Sequence, residues 1–136
     1  MDKNINIPTQ AYNLFILGNY KNGINLLERY LKTNEGNGSI YNNLGAAYMK
    51  LENYNEAKKN FDKAIKLDGC PDNIYYNLAE YYVDIANKYK KSNLDFAISQ
   101  LKKALENIII FLNYEKTNES AIELKNSIEN YLYSRF

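Results

Sequence analysis

Apolar side chains recur along most of the chain at the spacing of an amphipathic helix. Between residues 38 and 51, Tyr41, Leu44, Gly45 and Tyr48 follow the i, i+3, i+4, i+7 pattern that places apolar and small residues on one helical face. Short polar or glycine-containing breaks separate such segments. The breaks predict helices over about residues 8–18, 21–33, 38–51, 54–67, 72–90, 94–114 and 118–134.

The chain repeats itself at an offset of 34 residues. Tyr41, Leu44, Gly45 and Tyr48 align on Tyr75, Leu78, Ala79 and Tyr82, and a further shift brings Ala11, Tyr20, Gly23 and Leu27 into the same pattern. Small residues recur where two helix backbones would pass closely, and large residues recur beside them. Each helix pair cannot bury its own apolar face, so neighbouring pairs must stack.

This pattern resembles the tetratricopeptide repeat family, whose repeat carries a large aromatic, a Leu-Gly pair, Tyr, Ala and a large apolar residue four positions later. Residues 38–71 match at Tyr41, Leu44-Gly45, Tyr48, Ala57 and Phe61. The resemblance implies an all-α fold, a right-handed α-solenoid of helix-turn-helix repeats. Three repeats are predicted within 4–114, at 4–37, 38–71 and 72–111, the last with an insertion near 86–92.

The last segment, residues 115–136, is predicted to be a C-terminal capping helix rather than a fourth repeat. Its apolar face consists of Ala121, Leu124, Ile128, Tyr131 and Leu132. A stack of repeats exposes apolar surface at its end, and a helix with one polar face would cover it. The alternative is a movable helix that occupies a groove.

Composition and charge argue against two classes of partner, nucleic acids and membranes. The 136 residues carry 17 Lys and Arg against 16 Asp and Glu, a net charge of +1, which argues against nucleic-acid binding. No apolar run approaches the roughly 18 residues of a membrane span, so no membrane partner is expected. One cysteine and a polar amino end without a signal-peptide core favour a reduced, cytoplasmic setting.

The sequence lacks the residues and motifs of the common catalytic sites. The chain has no His, which removes the commonest general base and transition-metal ligand and leaves Cys70 without a catalytic partner. No glycine-rich phosphate-binding motif is present, and carboxylates alternate with lysines as on solvated helix faces. We therefore expect no enzyme, no catalytic residue, no cofactor and no metal site.

The family resemblance implies that the first helix of each repeat lines a concave groove for peptides or partner helices. The groove positions it assigns are Tyr12, Phe15, Ile16, Ser39, Asn42, Asn43, Ala46, Met49, Lys50, Asn73, Tyr76, Asn77, Glu80, Val83 and Asp84. Asn43 and Asn77 stand one repeat apart, and an amide can both donate to and accept from a peptide backbone. Tyr12, Phe15, Met49 and Tyr76 would supply apolar pockets. The alternative is that the asparagines cap or solvate helices and the tyrosines pack.

One subset of the family clamps the acidic carboxy-terminal tails of heat-shock chaperones with Lys, Asn and Arg side chains. Of the clamp positions only Asn43 matches, because the others hold Pro8, Tyr12, Asn73 and Asn77. Without cations a terminal carboxylate would lose its hydration with poor compensation. The sequence therefore predicts no such clamp.

The expected function is a scaffold or adaptor module that binds a peptide or helix of another protein. The alternative is a structural tetratricopeptide protein that forms homo-oligomers and has no peptide ligand.

Overall fold

The computed structural model describes residues 6–134, and this part of the chain folds into α-helices without a strand. The helices are α1 (Ile7–Ile16), α2 (Tyr20–Leu31), α3 (Gly38–Lys50), α4 (Tyr54–Ile65), α5 (Ile74–Tyr89), α6 (Leu94–Tyr114) and α7 (Glu119–Tyr133). All seven predicted helices are present, with ends within about two residues of the prediction. The predicted first repeat begins at residue 4 and the predicted capping segment ends at residue 136, so their outermost residues lie outside the described range.

The chain divides into two compact units after Pro71, at the predicted boundary between the second and third repeats. Unit 1 contains α1 to α4, arranged as two helical hairpins, α1–α2 and α3–α4, with α2 and α1 both touching α3. Its buried residues come from every helix of the unit. They include Ala11, Ile24, Leu27, Ile40, Leu44, Ala47, Ala57, Phe61 and Ala64.

Glycine allows the closest helix contacts of unit 1. A Cβ atom on Gly45 would lie 2.5 Å from the ring of Phe61, and one on Gly23 would lie 2.4 Å from the ring of Phe15. Gly45 and Gly23 are small positions of the 34-residue pattern. The aromatic rings occupy the space that a side chain at either position would need. The contacts hold α3 against α4 and α1 against α2.

Unit 2 is a long hairpin, α5–α6, with α7 packed against α6. Its core includes Ala79, Ala86, Ala97, Leu101, Ala104, Ile108, Phe111, Ala121, Ile128 and Leu132. The predicted insertion extends both helices of the hairpin, and the Tyr89 and Phe96 rings meet edge to face at its tip, 5.0 Å apart. The predicted apolar face of α7 is the one that packs.

Asparagine starts most of these helices. Asn37, Asn53, Asn93 and Asn118 each accept a hydrogen bond through the side-chain oxygen from the backbone N–H three residues later, at the beginnings of α3, α4, α6 and α7. Helix α5 differs, because Asn73, the residue before it, makes no side-chain cap.

Candidate functional site

A depression of about 200 Å³ opens on unit 1 between α1, the start of α2 and α3. Three aromatic rings and an isoleucine come from α1 and the start of α2, and an amide, two alanines and a lysine come from α3. The lining residues are Tyr12, Phe15, Ile16, Tyr20, Asn43, Ala46, Ala47 and Lys50. The 34-residue repeat explains the arrangement, since the first helices of two successive repeats supply most of the walls.

The depression brings together most of the groove residues that the family resemblance assigned to unit 1. Tyr12, Phe15, Ile16, Asn43, Ala46 and Lys50 all line it. Ile16 is 65% exposed and Tyr12 is 48% exposed, so both apolar side chains are open to a ligand. Met49 is half-buried on α3 and is not among the lining residues. Whether these residues bind a peptide remains a prediction.

Asn42 does not belong to this surface. Its side chain is 1% exposed, which makes it one of the two buried polar residues in the described part of the chain. It takes part in an interaction inside the protein. Successive helical residues point about 100° apart, so Asn42 faces the interior while Asn43 faces the depression. The prediction that Asn42 lines the groove was therefore wrong.

The polar groups of the depression are uncommitted. Within residues 6–134, the Asn43 amide makes no side-chain hydrogen bond and the Lys50 ammonium makes no ion pair. Lys50 is exposed and Asn43 is half-buried. Both side chains can therefore bond a ligand without first breaking an internal contact.

A neighbouring contact fixes the position of α3. The Tyr48 hydroxyl donates a hydrogen bond to the Glu28 carboxylate on α2. Burial of the Tyr48 side chain raises the pKa of the phenol above its ordinary range, and the bond to Glu28 raises it further. Tyr48 therefore stays protonated and keeps donating at physiological pH.

The groove residues predicted in unit 2 are arranged differently. Asn73, Asn77, Glu80 and Asp84 each take part in an interaction within the protein. No depression among those described here is lined by any of them. The equivalence of Asn43 and Asn77, inferred from the repeat, therefore does not extend to their surroundings.

Tyr76 packs inside unit 2 instead of offering an open pocket. Its ring meets Phe111 of α6 edge to face, with 5.4 Å between the ring centres, and its hydroxyl shares a hydrogen bond with Ser120 of α7. Burial raises the pKa of this phenol, as does the Glu80 carboxylate. The predicted apolar pocket at Tyr76 is therefore occupied by α6 and α7 side chains.

Two lining residues escaped sequence reasoning. Tyr20 begins α2, and it reaches the depression because the turn after α1 is tight. Ala47 is 2% exposed and forms the base. Tyr20 aligns with Tyr54 in the repeat, so the offset marked it as a structural position and gave no signal of its second role.

Other surfaces offer less chemistry. A second depression on unit 1 is lined by Ile7, Leu26, Arg29, Tyr30 and Asn34, and a third runs along the lysines of α4. Among residues 6–134, no three His, Cys, Asp or Glu side chains lie close enough to share a metal ion. None of the helices in this range has both the length and the apolar composition needed to cross a bilayer.

Known proteins share both the repeat and the fold. Residues 39–69 match the family model of the tetratricopeptide repeat. The chain is 31% identical over 101 residues, 74% of its length, to BBSome complex member BBS4 of Bos taurus, and 30% identical over 103 residues to Sperm-associated antigen 1 of Homo sapiens. These matches span 18% and 11% of the relatives, so the chain corresponds to a small part of each.

Two solved structures resemble most of the chain. One is the NMR structure of the second TPR domain of human RPAP3 in complex with the HSP70 peptide SGPTIEEVD, with a TM-score of 0.60 at 22% identity, covering 92% of this chain and 93% of that one. The other is PcrH in complex with the chaperone binding region of PopD, with a TM-score of 0.56 at 14% identity, covering 94% and 86%. They confirm the predicted all-α class of helix-turn-helix repeats, and the family-model match identifies residues 39–69 as a tetratricopeptide repeat.

Proposed function

We propose that the protein is an interaction module that binds a segment of another protein in the unit 1 depression. One observation carries the proposal. The first helices of two successive repeats place the exposed apolar side chains Tyr12 and Ile16 opposite the Asn43 amide and the Lys50 ammonium, which have no side-chain partner among residues 6–134. Apolar pockets supply most of the energy of peptide binding, and a few polar groups orient the ligand.

The resembling structures support this use of the fold. The RPAP3 domain is in complex with an HSP70 peptide, and PcrH is in complex with the chaperone binding region of PopD. Both are bound to protein segments, which is what the depression on this chain suits. The scaffold role and the cytoplasmic setting expected from the sequence are parts of the same proposal.

Filling the depression tests the proposal. Ala46→Arg places a long side chain in the depression at a half-buried helical position, where Arg is nearly as good a helix former as Ala. The full chain, carrying an affinity tag, is used to capture proteins from extracts of host cells. We expect wild type to retain partners that Ala46→Arg loses at least tenfold, as judged by quantitative mass spectrometry.

Asn113→Arg is the matched control, because it adds the same side chain to an exposed position on α6 in unit 2. It should retain the wild-type partners, and circular dichroism should give all three proteins similar melting temperatures. An identical set of captured proteins for wild type and Ala46→Arg would rule out the depression as the binding surface.

Self-association is the second candidate, and exposed apolar side chains at the end of α1 favour it. Ile16 is 65% exposed and Leu17 is 80% exposed. Sedimentation velocity over a hundredfold range of concentration separates the candidates. The module predicts a monomer throughout, whereas a mass that doubles with concentration and falls back in Leu17→Lys would favour the oligomer.

A further inference from the structure

We propose that the depression selects an internal, extended segment in which one large apolar side chain lies two residues from an acidic one, and that Lys50 is the residue that selects the acid. This inference rests on the proposed function, since it names the chemistry of the partner at the same site.

The depression has room for one large side chain. Its volume is about 200 Å³. An apolar cavity of roughly 150 Å³ holds a benzene molecule, whereas sites for drug-sized ligands are roughly 300–1,000 Å³. The aromatic rings of Tyr12, Phe15 and Tyr20 make the walls largely apolar. A phenylalanine or leucine side chain fits this space, and a cofactor does not.

The charges on α1 and α3 indicate which residue would flank this apolar side chain in the ligand. Helix α1 carries no charged side chain, and Lys50 is the single charged residue of α3. It is exposed, and it has no ion-pair partner among residues 6–134. Glu52 lies nearby in the sequence, in the turn after α3, without forming an ion pair to Lys50. The face formed by the two helices is thus apolar with one uncompensated positive charge, and its complement is an apolar residue with a negative neighbour.

The spacing of Ala46 and Lys50 on α3 sets the distance between the apolar and the acidic side chain of the ligand. Ala46 lies in the depression one turn before Lys50, which places the two Cα atoms about 6 Å apart along the axis. An extended chain advances about 3.3 Å per residue, so the acid falls about two residues from the apolar side chain. Asn43 lies about 4.5 Å beyond Ala46 on the other side, where its amide can bond the backbone of the same segment.

The occupant is a partner segment rather than a chain terminus. A terminal carboxylate needs a cluster of cations, and the described residues of α1 and α3 provide one lysine, which a single side-chain carboxylate satisfies. Amidating the carboxyl end of a bound peptide should therefore not weaken its binding.

Defined peptides test this chemistry on the full chain. The probes are nine-residue peptides, acetylated and amidated, with a central Phe and with Glu, Gln or Lys two positions away on both sides. A fourth probe replaces the Phe of the Glu peptide with Ser. Fluorescence anisotropy measures binding to wild type, to Lys50→Glu and to the matched control Lys102→Glu, an exposed lysine of α6 in unit 2.

We expect wild type to bind the Glu peptide about threefold more tightly than the Gln peptide and about tenfold more tightly than the Lys peptide, as for an exposed ion pair. Higher salt should narrow these ratios. Lys50→Glu should reverse the order, Lys102→Glu should leave it unchanged, and the Ser peptide should lose saturable binding.

The possible results separate a failure of the inference about Lys50 from a failure of the proposed function. If all three Phe peptides bind equally, and Ala46→Arg abolishes that binding, the selection by Lys50 is wrong and the proposed function stands. If no Phe peptide binds saturably while Ala46→Arg still loses captured partners, the inference is wrong and the proposed function stands. If Ala46→Arg changes neither peptide binding nor the captured proteins, both are wrong. If wild type dimerises and Ala46→Arg is a monomer, the occupant is a second copy and the inference is overturned.

Discussion

At the scale of single residues, glycine decides how closely the helices of unit 1 approach. Gly45 faces the ring of Phe61, and Gly23 faces the ring of Phe15. Phe61 is fully buried, so other side chains enclose its ring. The contact therefore depends on Gly45 having no side chain, as the repeat pattern indicated, because a Cβ atom there would lie 2.5 Å from the Phe61 ring.

Gly45→Ala tests that contact, because two effects oppose each other. Alanine is the better helix former by about 1 kcal/mol, while forcing a methyl group into a filled core costs about 1–3 kcal/mol. We expect a net loss of up to about 2 kcal/mol in the free energy of unfolding, measured by chemical denaturation of the full chain.

A double-mutant cycle identifies the cause of the loss. Phe61→Leu should cost less in the Gly45→Ala background than in wild type, with a coupling of about 0.5 kcal/mol or more, because the smaller side chain leaves room for the methyl group. A gain in stability of about 1 kcal/mol from Gly45→Ala alone would mean that the helices are not in close contact there.

Sequence reasoning identified most residues of the depression and missed the surroundings of others. The family resemblance placed Tyr12, Asn43 and Lys50 in one groove, and the structure brings them together. It also assigned Asn42 and Tyr76, which face the interior or are covered by side chains of α6 and α7. A repeat fixes which helix carries a residue, but the neighbour packed against that residue lies in a distant segment with no shared pattern.

At the scale of secondary structure elements, asparagine side chains determine where helices begin. Four of them, Asn37, Asn53, Asn93 and Asn118, are caps. Helix ends were predicted closely, because breaks in apolar spacing mark them independently of the cap. The capping residue itself was missed, since Ser, Thr, Asp and Asn at neighbouring positions satisfy the same rule.

Asn93→Ala removes the cap of the longest helix. The Asn93 side chain accepts a hydrogen bond from the backbone N–H of Phe96 at 3.1 Å, and its loss leaves that donor without a protein partner. We expect the free energy of unfolding to fall by about 1 kcal/mol. Asn113→Ala, at an exposed position within the same helix, should change it by less than about 0.5 kcal/mol in either direction. Equal effects of the two substitutions, measured by urea unfolding, would contradict the capping role.

At the scale of the whole molecule, the two units have different surfaces. In unit 1 the groove residues Asn43 and Lys50 are uncommitted, while in unit 2 their counterparts Asn77 and Asp84 interact within the protein and α7 packs on α6. The family resemblance treated the repeats as equivalent, and the structure makes unit 1 the better candidate for binding. Its partner remains to be found by the capture experiment and the defined peptides.

The most direct test is to map a bound segment on the chain by NMR. Amide shifts of the isotope-labelled full chain are followed during titration with the segment of a captured partner. The account predicts that the largest changes fall in residues 12–20 and 43–50, around the depression. The largest changes along α4 or α7, with those residues unaffected, would contradict it.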